Sequence, residues 1–115
     1  MSDNSVIKCM IIIADRGKGD AIVKYLREQN VMCSFILPGH GTASGQWINL
    51  LGMGDIKKDV IINVLDKTRV SEIFEGLGNR FDMRGAGHGI AFTVGINSIG
   101  GKRLLNYCLG NVEEH

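Results

Sequence analysis

The chain has 115 residues, enough for one domain with a modest core, and residues 1–115 are treated as a single domain. The hydrophobic share of 44% and the charged share of 22% are ordinary for a globular protein and argue against disorder. A formal net charge of +1 gives no electrostatic reason for nucleic-acid binding, and no apolar run has the length of a membrane span. We therefore expect neither nucleic acid nor membrane as a partner.

The cysteines and the N-terminus indicate a cytoplasmic protein. Cys9, Cys33 and Cys108 are odd in number and widely spaced, which fits neither a disulfide framework nor a zinc pattern. Residues 1–5 are polar and acidic, unlike a secretory signal. We interpret the three thiols as reduced and mostly buried.

Hydrophobic periodicity divides the chain into six elements. The predicted elements are a strand at 6–14, a helix at 21–29, a strand at 31–37, a strand at 60–65, a helix from 70 to a stop at Gly78, and a strand at 90–96. Asp20 is the expected N-cap of the first helix, and Pro38 is the expected end of the second strand. Ile22, Tyr25 and Leu26 lie on one stripe of the first helix, as core residues do.

This order predicts the α+β class, as a ferredoxin-like βαββαβ sandwich with an antiparallel sheet. In that architecture both helices cover one face of the sheet, and the other face is open in a monomer. Residues 10–13 and 60–62 are apolar on both sides of their strands. We therefore expect the open face to be covered by oligomerisation.

Two glycine-rich segments interrupt the predicted elements. Segment 38–55 contains Gly39-His40-Gly41 and is long for a connection in a small domain, which is typical of functional loops. Segment 80–89 contains the run 85–89, Gly-Ala-Gly-His-Gly, directly before the last strand. Its N–H groups are suited to an anion nest, although a simple tight turn explains the glycines equally well. Neither segment matches the dinucleotide fingerprint, because 80–89 precedes a strand and 38–55 follows the second strand and leads into too short a helix.

Several side chains in and beside these segments have two interpretations. His40 and His88 lack a convincing third ligand for a metal, so we favour polar contacts to a ligand or to the backbone. No nucleophile or carboxylate lies at a readable spacing from them, and we expect no enzyme. Trp47 either anchors a partner protein or packs a short helix onto the body. Lys58 either meets a phosphate or, more typically for its position at a strand entrance, is solvated.

The order of elements and both glycine segments resemble the PII signalling superfamily, particularly its PII-like branch with a shortened T-loop, over nearly the whole chain. Segment 38–55 is similar to the T-loop, with Gly39-His40-Gly41 at the strand junction. Segment 80–89 is similar to the B-loop, and Gly87-His88-Gly89 precedes the following strand as in that family. In the C-terminal segment 97–115, Arg103 stands where the family has a phosphate-contacting arginine.

The resemblance implies a homotrimeric regulator of the kind that acts in nitrogen regulation. An adenine nucleotide (ATP, ADP or AMP, with or without Mg²⁺) would occupy each inter-subunit cleft, with no obligatory cofactor. The T-loop-like segment, including Trp47, would contact a regulated protein such as a transporter or an enzyme. The nucleotide-binding residues that the resemblance implies are Gly39, His40, Gly41, Thr42, Lys58, Gly85, Ala86, Gly87, His88, Gly89 and Arg103.

The sequence departs from the family at two points. Ile90 stands in the place of the B-loop lysine, so AMP or ADP suits the site as well as ATP does. Segment 38–55 contains no tyrosine, and uridylylation of the usual kind is not expected. The alternative to the nucleotide sensor is a CutA-like trimer that binds metal or has a structural role.

Overall fold

The computed structural model describes residues 7–32, 34–40, 57–81, 89–96 and 100. In chain order the elements are β1 (Ile7–Asp15), α1 (Gly19–Glu28), β2 (Ser34–His40), β3 (Lys57–Asp66), a 3₁₀ turn (Lys67–Arg69), α2 (Val70–Phe81) and β4 (Ile90–Gly95). The predicted sequence of strands and helices is confirmed. Neither helix in the described ranges has the length and apolar character needed to cross a lipid bilayer.

The four strands form one sheet in the order β2-β3-β1-β4, and every neighbouring pair is antiparallel. This confirms the antiparallel sheet expected for the βαββαβ order. The two strands with the most continuous apolar sequence, β1 and β3, lie in the centre. The outer positions belong to β2 and β4, so these strands carry the free edges of the sheet.

The core lies between one face of the sheet and the two helices. Ile12 and Ile61 oppose each other in the β1–β3 ladder, and both are fully buried. The helices add apolar side chains at helical spacing, as the periodicity predicted: Ile22, Tyr25 and Leu26 from α1, and Ile73 and Leu77 from α2. Burying each large aliphatic side chain contributes about 1.5–3 kcal/mol, so this layer orients both helices.

One polar pair interrupts the core. Asn63 of β3 is 1% exposed and opposes Ser34 of β2 in the ladder. Within the described residues, neither the Asn63 amide nor the Ser34 hydroxyl has a hydrogen-bond partner. An unpaired buried polar group costs about 1–3 kcal/mol of folding free energy. This pair therefore contributes less to stability than its apolar neighbours on the helix-covered side of β3 do.

The face of the sheet opposite the helices is almost entirely apolar, and we call it the open apolar face. Cross-strand pairing arranges its side chains in three rows: Phe35, Ile62, Ile11 and Phe92; Leu37, Val60, Ile13 and Ile90; and Val64, Cys9 and Val94. Phe35 is 63% exposed and Val94 is 46% exposed in the single chain. Along β4 the side chains alternate between the two faces, and residues 90, 92 and 94 lie on the open apolar face.

Two predicted boundaries in the first half of the chain are wrong. Asp20 is not the N-cap of α1, because the helix begins at Gly19 and Asp20 lies in its first turn. Pro38 does not end β2, which continues to His40. β2 is an edge strand, where the missing proline N–H costs no ladder bond on the outer side. The first three residues of segment 38–55 are therefore strand.

The second helix also extends beyond its predicted end. Gly78 does not stop α2, which runs on to Phe81. The Phe81 ring packs edge-on against Tyr25 of α1, with the ring centroids 6.0 Å apart. This aromatic contact contributes about 0.5–1.5 kcal/mol, which offsets the roughly 1 kcal/mol that a glycine costs inside a helix.

Candidate functional site at one end of the sheet

The ends of β2, β3 and β4 that adjoin the two glycine segments meet the last residues of β1 at one end of the sheet, which we call the loop end. Gly39 opposes Lys58 across β2 and β3, and Lys58 opposes Asp15 across β3 and β1. Ile13, two residues before Asp15, opposes Ile90 at the beginning of β4. The antiparallel topology therefore places the last residues of β1 and β2 beside the first residues of β3 and β4.

The described members of the predicted nucleotide site all lie at the loop end: Gly39, His40, Lys58 and Gly89. The other predicted site residues lie outside the described ranges: Gly41, Thr42, Trp47, Gly85, Ala86, Gly87, His88 and Arg103. β2 and β4 are the outer strands, three interstrand spacings or about 14 Å apart. A ligand that contacts the backbone at both outer strands must therefore be longer than a single phosphate.

At two positions of the loop end, packing or backbone conformation by itself requires a glycine. A Cβ atom on Gly39 would lie 2.9 Å from the Val60 Cγ2 atom, closer than real contacts allow. Gly89 has a φ of +109°, in the region that only glycine adopts readily. The sheet thus requires glycine at both positions whether or not a ligand approaches them.

Lys58 is buried and paired, contrary to the expectation of a solvated strand entrance. The residue is 6% exposed. Its Nζ atom donates a hydrogen bond of 2.6 Å to Oδ1 of Asp15. The two residues oppose each other in the ladder, on the same side of the sheet as the open apolar face. An anion that reaches the Lys58 ammonium must share it with the Asp15 carboxylate.

Arg16, in the turn between β1 and α1, contacts both β2 and β3 at the loop end. Its Nη2 donates to the carbonyl oxygen of Gly39 at 2.9 Å, and its Nε donates to that of Lys58 at 3.0 Å. Its backbone N–H donates to the carbonyl oxygen of Lys57 at 3.2 Å. One residue of the β1–α1 turn therefore joins the last residues of β2 to the first residues of β3.

Asp59 occupies the place at the beginning of α1 that was predicted for Asp20. Its Oδ2 accepts hydrogen bonds from the backbone N–H groups of Gly17 and Gly19, both at 2.9 Å. Its Oδ1 lies 3.3 Å from the Arg16 Nε. A carboxylate at a helix N-terminus satisfies free N–H groups and interacts favourably with the helix dipole. Asp59 therefore caps α1 from β3, forty residues further along the chain.

The described residues offer only weak signals for metal or redox chemistry. No three His, Cys, Asp or Glu side chains within the described ranges are grouped so that they could hold a metal ion. The Cys9 thiol is free and lies in the open apolar face, where burial raises its pKa. A raised pKa keeps this thiol protonated at neutral pH, which makes it a poor nucleophile.

Neither a protein-family model nor a curated protein matches the sequence. Several solved structures, in contrast, are similar to this chain. The nitrogen regulatory PII-like protein CPII from Thiomonas intermedia, bound to ADP, AMP and bicarbonate, has a TM-score of 0.59 and 22% identity, over 78% of this chain and 89% of that chain. The B. subtilis GlnK–ATP complex has a TM-score of 0.57 and 14% identity, over 82% of this chain and 84% of that chain.

A third similar structure belongs to a protein of unknown function from Pediococcus pentosaceus. Its TM-score is 0.61 and its identity is 13%, over 82% of this chain and 95% of that chain. The likeness to these structures extends over most of each chain. The protein therefore has the PII-like fold, and the resemblance of fold inferred from the sequence is confirmed.

Proposed function

We propose that this protein is a PII-like regulator that binds an adenine nucleotide between the subunits of a homotrimer. The observation that supports this proposal is the arrangement of residues at the loop end of the sheet. There the fold collects Gly39, His40, Lys58 and Gly89 from three separate stretches of the chain. These are the described residues that the resemblance to the PII superfamily assigns to nucleotide binding.

The open apolar face supports the homotrimer. Its three cross-strand rows contain large side chains, and Phe35, Leu37 and Phe92 are 63%, 45% and 38% exposed in the single chain. An apolar surface that spans four strands is unfavourable in water and is typical of a subunit interface. Identical subunits related by closed symmetry would each bury this same face.

The structural neighbours and the charges at the loop end support an adenine nucleotide as the proposed ligand. CPII was solved with ADP and AMP, and GlnK was solved with ATP. In this chain Ile90 provides no charge, and the Lys58 ammonium is already paired with Asp15. We assign the remaining phosphate contacts to Arg103 and to the N–H groups of 85–89. With so few charges, AMP or ADP should bind at least as well as ATP, and Mg²⁺ is optional.

The regulatory step in this proposal is binding rather than catalysis. The nucleotide would set the conformation of segment 38–55, and this segment would contact a transporter or an enzyme in the cytoplasm. Trp47 is the proposed partner contact, because tryptophan is enriched where protein interfaces gain most of their binding energy. Regulation of nitrogen metabolism is the corresponding biological role, by analogy with the nitrogen regulatory protein CPII.

Calorimetric titration with ATP, ADP and AMP, each with and without Mg²⁺, tests the proposal once light scattering has given the oligomeric state. We expect a trimer that binds about one nucleotide per subunit. A trimer that binds no nucleotide would contradict the sensor function. If divalent metal ions stabilised that trimer, the CutA-like alternative would replace it.

The variant Arg103→Ala shows whether the bound nucleotide occupies the proposed site. A hydrogen bond to a charged group contributes about 1.5–3 kcal/mol, so phosphorylated ligands should bind roughly tenfold to a hundredfold more weakly. Adenosine should bind nearly as before, because it lacks the phosphate. Arg27→Ala, at an exposed arginine on α1, is the matched control. Equal weakening of adenosine and AMP would indicate that Arg103 acts through folding.

A further inference from the structure

The Arg16 guanidinium bridges the end of β2 and the beginning of β3, the two strands that segment 38–55 connects. Gly39 and Lys58 form the second-to-last pair of the β2–β3 ladder at the loop end. Arg16 donates to the carbonyl oxygens of both residues, at 2.9 Å and 3.0 Å. Because the guanidinium is planar and rigid, the two carbonyls are held at a fixed separation by one group.

Asp59 fixes the orientation of this guanidinium. The Asp59 carboxylate lies 3.3 Å from the Arg16 Nε and is held by the N–H groups of Gly17 and Gly19. Its surroundings are tight, since a Cβ atom on Gly19 would lie 2.8 Å from the Asp59 Oδ2. Asp59 is 8% exposed. The beginning of α1, Asp59 and Arg16 therefore form one connected unit with the loop end.

We propose that Arg16 is a positioning residue for the ligand site at the loop end. It holds the backbone of Gly39 and Lys58 in the arrangement that a ligand contacts, and Asp59 links that arrangement to the beginning of α1. The identity of the ligand rests on the proposed function, whereas the ordering of the loop end by Arg16 does not.

The exposure of Arg16 separates this role from a general contribution to folding. Its side chain is 40% exposed, and exposed ion pairs contribute little to global stability. Its hydrogen bonds are nevertheless concentrated on the last residues of β2 and the first residues of β3. Removing the guanidinium should therefore loosen the loop end while leaving the core between the sheet and helices intact.

Amide hydrogen exchange of Arg16→Gln tests this directly, without any ligand. We expect the amides of 39–40 and 57–58 to exchange about tenfold faster or more, with exchange in α2 and the melting temperature nearly unchanged. Arg16→Lys keeps the charge but not the planar fork, and it should give an intermediate effect. Arg69→Gln is the control, because Arg69 follows the opposite end of β3 and pairs with the exposed Glu72. Unchanged exchange at 39–40 and 57–58 in Arg16→Gln would overturn the proposal.

Nucleotide affinity then distinguishes the two proposals. If the wild-type protein binds AMP or ADP, Arg16→Gln should bind it about tenfold more weakly, within the usual range of coupling between sites. Full affinity despite faster exchange would overturn the positioning role. If the wild-type protein binds no nucleotide, the proposed function fails, and the exchange rates at 39–40 and 57–58 still decide whether Arg16 orders the loop end.

Discussion

The Asp66 side chain begins the 3₁₀ turn that leads from β3 into α2. Its Oδ1 accepts hydrogen bonds from the Thr68 backbone N–H at 2.8 Å and from the Thr68 hydroxyl at 2.7 Å. Both hydrogen bonds stabilise the carboxylate and lower the pKa of Asp66 from its ordinary value, and the bond from the backbone N–H has the larger effect. Asp66 is thus the N-cap of the 3₁₀ turn, which continues directly into α2.

This cap predicts a pH-dependent contribution to stability. Replacing a capping side chain costs about 0.5–2 kcal/mol, so Asp66→Ala should lower the free energy of unfolding by roughly 1 kcal/mol at pH 7. Because the folded pKa is lowered, the contribution is complete above the unfolded pKa of about 4 and is lost as the pH falls through the folded value. Urea unfolding at pH 7 and pH 3, at one protein concentration, measures it. Glu75→Ala is the control, and an equal deficit at both pH values would contradict the charged cap.

At the scale of whole elements, the contact between α1 and α2 depends on Gly76. A Cβ atom at Gly76 would overlap the Tyr25 hydroxyl and lie 2.6 Å from its Cζ. Tyr25 is held in place on two other sides, by the Phe81 ring and by the Arg80 guanidinium 5.2 Å from its ring centroid. Arg80 also pairs with Glu28 at 3.0 Å, so the two helices are joined through one cluster.

Gly76→Ala should therefore destabilise the protein although alanine is the better helix former. Overpacking costs about 1–3 kcal/mol, whereas alanine gains about 1 kcal/mol over glycine within a helix. We expect a lower urea midpoint with little change in the slope of the transition. Glu75→Ala, on the exposed side of the same helix, should shift the midpoint far less. A more stable Gly76→Ala variant would show that Tyr25 moves aside at little cost.

At the scale of the whole molecule, the open apolar face is the large apolar surface that a single chain leaves exposed to water. Ile11 and Ile62 lie at the middle of a row whose ends are Phe35 and Phe92. The row crosses both central strands and both edge strands. A monomer exposes it to water, whereas the proposed trimer would bury three such faces against one another.

Phe92→Glu tests this assembly, because a buried carboxylate in an apolar interface is strongly unfavourable. Light scattering should give the mass of a single chain for the variant and of a trimer for the wild type at the same concentration. Ala21→Glu, which adds the same charge to an exposed position on α1, should remain trimeric. Circular dichroism confirms that each variant is folded. A trimer that tolerates Phe92→Glu would place the subunit interface elsewhere.

The sequence by itself determined the order of the elements, the antiparallel α+β class and the two faces of the sheet. These follow from short-range periodicity, because alternation along β4 and helical spacing in Ile22, Tyr25 and Leu26 depend only on neighbouring residues. The glycine segments and Lys58 pointed to a ligand site, and the described members of that set do lie at one end of the sheet. Tertiary contacts moved two element boundaries, because pairing with β3 extends β2 past Pro38 and the packing of Phe81 on Tyr25 accompanies the extension of α2 past Gly78.

Only the tertiary structure decided which charged residues meet at the loop end. Arg16 and Lys58 are forty-two residues apart in the sequence, as are Gly17 and Asp59. Their contacts depend on the register between β1 and β3, in which Asp15 opposes Lys58. Local sequence patterns do not encode that register. They do not show which acidic residue will lie opposite a given lysine or beside a given helix end. The capping of α1 by Asp59 and the neutralisation of Lys58 by Asp15 were therefore visible only in the folded chain.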